Sequence, residues 1–189
     1  SMIPKHIKMV MCAGNHDAMR LTEPQLPIYR DFAEELYAFP NLIHVHNPAL
    51  INIHAKGSFP GFDVLLYHGY SFDYFVANVD YIRNNGGYER VDIIMKYLLQ
   101  RRHLAPTHSS NSYIPDTKLD PLVIETVPDI FVTGHIHKAM LANYRGITLI
   151  NASCWQSITD YQKRHGHKPD PGRVPVVNLQ TREARIIRF

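Results

Sequence analysis

Three apolar runs, Ile7 to Cys12, Phe62 to Tyr67 and Asp129 to Thr133, are short, rich in β-branched or aromatic residues and free of strict alternation. Such runs suit strands covered on both faces. Each leads into a turn with polar side chains: Gly14-Asn15-His16-Asp17, His68-Gly69 and Gly134-His135-Ile136-His137. Side chains just beyond the carboxyl ends of neighbouring strands can meet at one point, however far apart they lie along the chain.

Between the first two runs, Ile28, Phe32, Leu36 and Phe39 recur at helical spacing behind Pro27, predicting a helix that Pro40-Asn41 ends. Leu42 to Ile53 reads as one or two strands broken at Asn47-Pro48. The aromatic stretch Ser71 to Ile82 is weakly helical. Glu89 to Arg102 is a firmer helix, with Val91, Ile94, Met95 and Leu98 on one face. His103 to Asp120, rich in Pro, Ser and Asn, predicts a long surface loop of the kind that often serves function, and Pro121 to Val127 a short helix.

Beyond His137 the pattern turns to β, with Ala139 to Tyr144 and Ile147 to Ala152 around Arg145-Gly146, then Pro175 to Leu179 and Ala184 to Phe189. Strands with helices first and hairpins afterwards predict an α/β fold of two packed sheets with helices outside. A single domain over 1–189 is expected from the length. Ser1-Met2 reads as a cloning scar or the edge of a cut, either of which leaves upstream sequence missing.

Charge changes this picture little, because the net value of +3 is mild. Lys163, Arg164, Lys168, Arg173, Arg182, Arg185 and Arg188 crowd the last stretch, where solvated surface charge outweighs phosphate contact as an account. No run approaches the roughly 18 apolar residues that span a bilayer, so a soluble cytoplasmic protein with no membrane contact is expected. Cys12 and Cys154 form no Cys-x-x-Cys pair and read as buried thiols. Trp155 reads as a plug between the sheets, and most of Tyr67, Tyr70, Phe72, Tyr74 and Phe75 as core, with some rings free to stack on unpaired bases.

The 12 histidines are the unusual count, since imidazole is both a metal ligand and a general acid near neutral pH. His44-Val45-His46 is a decoy, because strand alternation puts both rings on one face and no glycine precedes them. His165-Gly166-His167 reads as exposed, His6, His54 and His103 as structural, and His108 stays open. The three turns carry the chemistry. Hydrolysis of a phosphodiester by divalent metals needs nitrogen and oxygen ligands and a proton for the leaving group. Asn15 offers an amide oxygen, while His68, His135 and His137 offer imidazole nitrogens. His135 and His137 can serve different metals of a pair ~3.5–4 Å apart. His16 is the candidate general acid, with Asp17 to orient its ring.

These turns resemble the third, fourth and fifth motifs of the calcineurin-like metallophosphoesterases. Two further stretches, Tyr67-His68-Gly69-Tyr70-Ser71-Phe72-Asp73 and Asn151-Ala152-Ser153-Cys154-Trp155-Gln156 continuing to Pro169-Asp170-Pro171-Gly172-Arg173-Val174-Pro175, narrow the resemblance. They are similar to the small subunits of archaeal D-family DNA polymerases, over essentially the whole chain. The resemblance implies a four-layer α-β-β-α sandwich of the calcineurin-like metallophosphoesterase type, lacking its first strands, with 1–189 as the C-terminal portion of that single domain. It also implies a 3′ to 5′ proofreading exonuclease with two divalent ions, Mn²⁺ first and Mg²⁺, Fe or Zn as alternatives. Its implied partners are the polymerase large catalytic subunit and a single-stranded or frayed 3′ DNA end.

Carried over by residue, the resemblance implies that Asn15, His68 and His135 bind one metal and that His137 helps bind the other. His16, with Asp17 behind it, would meet the scissile phosphate and the leaving oxygen. The family's first two motifs, Asp-x-His and Gly-Asp-x-x-Asp, which bring the bridging carboxylate, do not occur here. Weak metal binding and little or no nuclease activity are therefore expected of the chain alone. A non-catalytic scaffold for the large subunit and a small-nucleotide phosphoesterase are the competing functions.

Overall fold

The computed structural model describes residues 3–189, the side chain of Tyr161 excepted. Ser1-Met2, read as a cloning scar or the edge of a cut, lies outside them. The chain begins with strand β1 (Met9–Met11), followed by α1 (Glu34–Tyr37), β2 (Leu42–His44), β3 (Ala49–Ile53) and β4 (Phe62–Tyr67). Helices α2 (Phe72–Asn78), α3 (Asp80–Asn84) and α4 (Val91–Arg101) come next, then β5 (Ile130–Thr133), β6 (Met140–Tyr144) and β7 (Ile147–Asn151). Helix α5 (Asp160–Arg164), β8 (Arg173–Val177) and β9 (Ala184–Arg188) complete it.

Five strands form the central sheet in the order β3-β4-β5-β7-β6. The inner three run parallel, and antiparallel β3 and β6 close the edges. Alternation along the inner strands splits the core in two. Leu65, Tyr67, Phe131 and Leu149 face the helical layer, where Phe72, Phe75, Ile94, Met95 and Leu98 are buried. Val64, Ile130 and Ile150 face the other way, toward Val177 and Leu179 at the end of the β8–β9 hairpin. The architecture is thus mixed α/β, a five-stranded mixed sheet with few helices. No helix among the described residues is long and apolar enough to cross a membrane.

Several expected elements differ. The run from Ile7 to Cys12 is a strand only over Met9–Met11, in a two-stranded parallel ladder with β2 that leaves Ile7, Val10 and Ile43 exposed. A ladder of two strands offers no second layer to cover both faces. The helix expected behind Pro27 breaks into a 3-10 turn at Arg30–Phe32 and the single turn of α1, with Ala33 at φ −148°, ψ 41° between them. Ile28 is buried and Leu36 and Phe39 are half-buried, but Phe32 in the middle of the stripe is 65% exposed, so the face is only partly covered, and a helix this short is marginal without full packing.

The stretch from Pro121 to Val127 is extended rather than helical. Leu104 N–H donates to Leu122 O at 2.8 Å and Ile124 N–H to Arg102 O at 2.9 Å, which buries Leu122 and Ile124 in alternation. Trp155 does not plug the sheets. It is 71% exposed against Phe189, because Val177 and Leu179 already cover that face of the sheet. Cys12 and Cys154 are free and only half-buried.

Candidate functional site

Register brings the second and third turns together. Tyr67 lies opposite Thr133, and Thr133 opposite Asn151, so the carboxyl ends of β4, β5 and β7 stop side by side. Gly134 N–H donates to His68 O at 3.0 Å, which sets the His68 and His135 ring centroids 5.2 Å apart. The first turn comes from outside the sheet, off the β1–β2 ladder. Gly14 packs directly on the His68 ring, and His68 Nε2 lies 2.8 Å from Asn15 Oδ1. A Cβ at Gly14 would stand 2.8 Å from His68 Cε1 and 2.9 Å from Nδ1. Gly14→Ala is expected to push the ring away from Asn15 at about 1–3 kcal/mol of overpacking, seen as a shifted His68 imidazole resonance in a still folded protein.

The turn that carries His135 and His137 is held from below. Asn151 Nδ2 donates to Ile136 O and Lys138 O, each at 2.6 Å, while its Oδ1 accepts the Thr133 hydroxyl at 2.8 Å. His135 occupies the left-handed region at φ 60°, a conformation that side chains resist and local bonds must maintain. Asp170 N–H donates to His137 O at 2.7 Å, and Gln162 Nε2 lies 2.9 Å from His137 Nδ1. His135 Nε2 meets Asp73 Oδ2 at 2.9 Å.

Two of the imidazoles, His68 and His137, respond to the charges around them. Burial pushes His68 down to about 4, and the charges of His135, His16 and His137 push the same way. His137 is lowered by burial and by His135, His16 and His167. Burial resists ionisation of Asp73, yet the His135 bond and charge, a Tyr88 hydrogen bond and the His167 charge outweigh it and hold the carboxyl below its usual range. At neutral pH the His68 ring is uncharged and keeps a lone pair to share.

His16 and Asp17 are exposed. Asp17 Oδ2 accepts the Gly14 N–H at 2.7 Å and closes the turn, and among the described residues no hydrogen bond joins Asp17 to His16. The other histidines separate cleanly. His44 stacks on Tyr37 at 3.9 Å, His46 lies beyond the strand, and His103 is pinned between Ala105 N–H and Asp120. His108 bonds the Tyr113 hydroxyl at 2.7 Å. His167 is not plainly exposed but half-buried against Tyr88, close enough to act on His137 and Asp73. The basic stretch is partly tied down as well, Arg182 donating to Asp129 O at 2.9 Å and Arg173 pairing with Asp170 at 3.3 Å.

Sequence reasoning missed Asp73 as a partner, Asn151 as a support, Gln162 altogether, and the buried Glu23. Glu23 is 0% exposed and accepts from Tyr67 Oη at 3.2 Å, from Asn47 Nδ2 at 3.3 Å and from Asn111 Nδ2. Asn47 Oδ1 in turn accepts the His68 N–H at 2.7 Å, so Glu23 stands one side chain behind the site. Burial raises its carboxyl to about 8 against the pull of those hydrogen bonds.

As a donor set, Asn15 Oδ1 and the imidazoles of His68 and His135 are nitrogen and oxygen groups of the kind that Mn²⁺, Fe or Zn accept. Asn15 Oδ1 and His68 Nε2, 2.8 Å apart, share a hydrogen bond in which the imidazole N–H donates, so an ion held by both atoms would take the place of that proton. Among the described residues no group of three or more His, Cys, Asp or Glu side chains could hold a metal ion, and no carboxylate bridges toward His137.

Residues 1–140 match the family of DNA polymerase alpha/epsilon B-subunits. The chain is similar to the DNA polymerase II small subunit of Methanothermobacter thermautotrophicus, 40% identical over 176 residues, which cover 93% of this chain and 34% of that protein. The same-named proteins of Methanocaldococcus jannaschii (41% over 177 residues; 94% and 28%) and Pyrococcus horikoshii (38% over 188 residues; 100% and 28%) are comparable relatives. The chain spans about a third of the length of these relatives. With the match covering the first two turns and the parallel strand end that bears the third, the chain belongs to the DNA polymerase alpha/epsilon B-subunit family.

Proposed function

We propose that the chain is part of the small subunit of an archaeal family D DNA polymerase and carries part of a metal-dependent phosphodiesterase centre, a 3′ to 5′ exonuclease for proofreading. The supporting observation is the gathering of Asn15, His68 and His135, with His137 and His16 close enough to act electrostatically on His68. In this reading Asn15, His68 and His135 would hold one divalent ion and His137 would help hold a second, within a calcineurin-like four-layer sandwich. A divalent cation held there would polarise a phosphate and lower the pKa of its water.

The chain's own residues do the rest. His16, exposed at the mouth of the turn, gives a proton to the departing 3′ oxygen. Asp17 keeps the Gly14–Asn15 turn closed through its bond to Gly14 N–H. His68 stays neutral and Asn151 fixes the third turn, so ligands and acid are set before substrate arrives. The partners in this reading are the polymerase large catalytic subunit and a frayed 3′ end.

A scaffold role for the large subunit draws on a different observation, the lack of any carboxylate among these ligand residues. Cleavage of a 3′-mismatched primer separates the two. The chain alone is expected to bind Mn²⁺ weakly and to cleave little, whereas a full-length small subunit cleaves and loses roughly 10²–10⁴-fold on His16→Ala. Absence of cleavage by the full-length protein with any divalent metal would establish the scaffold reading instead. Full Mn²⁺-dependent turnover by residues 1–189 would overturn the expected silence of the chain.

A further inference from the structure

A cleft of about 390 Å³ opens beside the candidate site, between the start of α2 and the 108–112 segment of the long loop. Its wall nearest the histidines is Tyr70 and Asp73: the Tyr70 ring centroid lies 5.8 Å from that of His135, and Asp73 bonds the His135 imidazole. The far wall is Tyr74, whose hydroxyl accepts from Ser109 Oγ at 3.0 Å. Tyr67, Phe72 and Phe75, the other rings of the aromatic stretch, are buried in the core, so Tyr70 and Tyr74 are the two that remain for a ligand.

Asn111, 7% exposed, also lines the cleft. Its Nδ2 is used by Glu23, but its Oδ1 is buried with no hydrogen-bond partner. The charge arrangement selects which part of a ligand enters. The Asp73 carboxylate lines the cleft and bonds His135, which disfavours a phosphate inside the cleft, while His108 on the opposite wall is bonded to the Tyr113 hydroxyl.

We propose that this cleft receives the nucleobase of the nucleotide whose phosphate lies at the histidines, its ring stacking on Tyr74 and its edge facing Asn111. This rests on the phosphodiesterase reading above and names the substrate part that the site grips. The volume is of the size that single small ligands occupy, and stacking on an aromatic side chain tolerates any base. Proofreading suits such a subsite, because an unpaired terminal base is free to leave its partner strand and a paired one is not.

The test needs no cleavage. The 189-residue chain is titrated with deoxyadenosine monophosphate and, separately, with deoxyribose 5-phosphate, in the presence of a chelator, and followed by NMR. The nucleotide is expected to bind about tenfold more tightly than the abasic phosphate, with Tyr74 and Asn111 resonances moving only for the nucleotide. Tyr74→Ala should erase that difference and Tyr74→Phe should restore it, with circular dichroism verifying that both remain folded. Equal affinities for the two compounds, or a preference untouched by Tyr74→Ala, would overturn the subsite. A preserved nucleotide preference in a full-length protein that cleaves nothing supports the subsite while removing the nuclease reading, so the two fail separately.

Discussion

Glu23→Ala is expected to destabilise the folded chain by on the order of 3 kcal/mol, because the change orphans buried donors and leaves a cavity. The donors are on Tyr67, Asn47 and Asn111, which lie in β4, ahead of β3, and in the long loop. Ser71 adds a further link, its hydroxyl oxygen lying 3.0 Å from Tyr67 Oη, where it shares the one phenolic proton with Glu23, and donating to Leu104 O at 2.8 Å. One side chain thus ties together the segment after the first turn, the strand that ends in His68 and the wall of the cleft.

Its pH dependence has a definite sign. The carboxyl rises from 4.5 to about 8 on folding, so the folded state binds more protons than the unfolded chain between those values. Stability from Glu23 is therefore fully present below 4.5, declines as pH rises, and is lost by about 8. Glu23→Gln mimics the protonated form, and the unpartnered Asn111 Oδ1 gives its amide an acceptor if the Asn111 amide turns over. Denaturant midpoints across that window should fall in the parent relative to Glu23→Gln. Parallel pH profiles for the two would mean that Glu23 is ionised at neutral pH.

The second large effect is at Asn151. Removing its amide by Asn151→Ala leaves the buried Ile136 carbonyl and the half-buried Lys138 carbonyl without their donor and the Thr133 hydroxyl with only its longer contact to Ile150 O at 3.5 Å, at roughly 2–4 kcal/mol. The loss should reach function too, since the left-handed His135 and its neighbour His137 depend on that support. Asn151→Asp keeps the shape but turns a donor into a second acceptor facing two carbonyls. It should be worse than Asn151→Ala at neutral pH and recover as the pH falls and the buried carboxyl takes up a proton to donate. Urea unfolding of both variants at neutral and acid pH gives the comparison, and a milder effect of Asn151→Asp at neutral pH would refute the assigned roles of the amide.

Local patterning made much of the fold legible. The helix at α4, the strands β4 and β5, the break at Asn47-Pro48 and both hairpins follow from periodicity and turn residues within a few positions of where they occur. The misses share a cause. The stripe from Ile28 to Phe39 and the run from Pro121 to Val127 carry plausible local signals, and each was decided by what lay opposite: a face left partly uncovered at Phe32 for the first, residues 102–104 for the second. Trp155 is exposed for a similar reason, because Val177 and Leu179 had already covered the sheet.

At the site, the sequence by itself determined which groups are on offer: the lone pairs of Asn15, His68, His135 and His137, and His16 as the acid of the proposed reading, each in a turn beyond a strand. Residue type and short-range spacing carry that information. Only the tertiary structure decided that the first turn comes from a separate ladder and reaches His68 through Gly14. It alone brought Asp73 to His135, Gln162 to His137 and Asn151 beneath the turn, and made Glu23 a buried carboxyl that holds its proton up to about 8. Hydrogen-bond partners and proton affinity depend on which groups and how much water remain within a few ångströms, and chain separations of 15 to 88 residues hide that from any local reading.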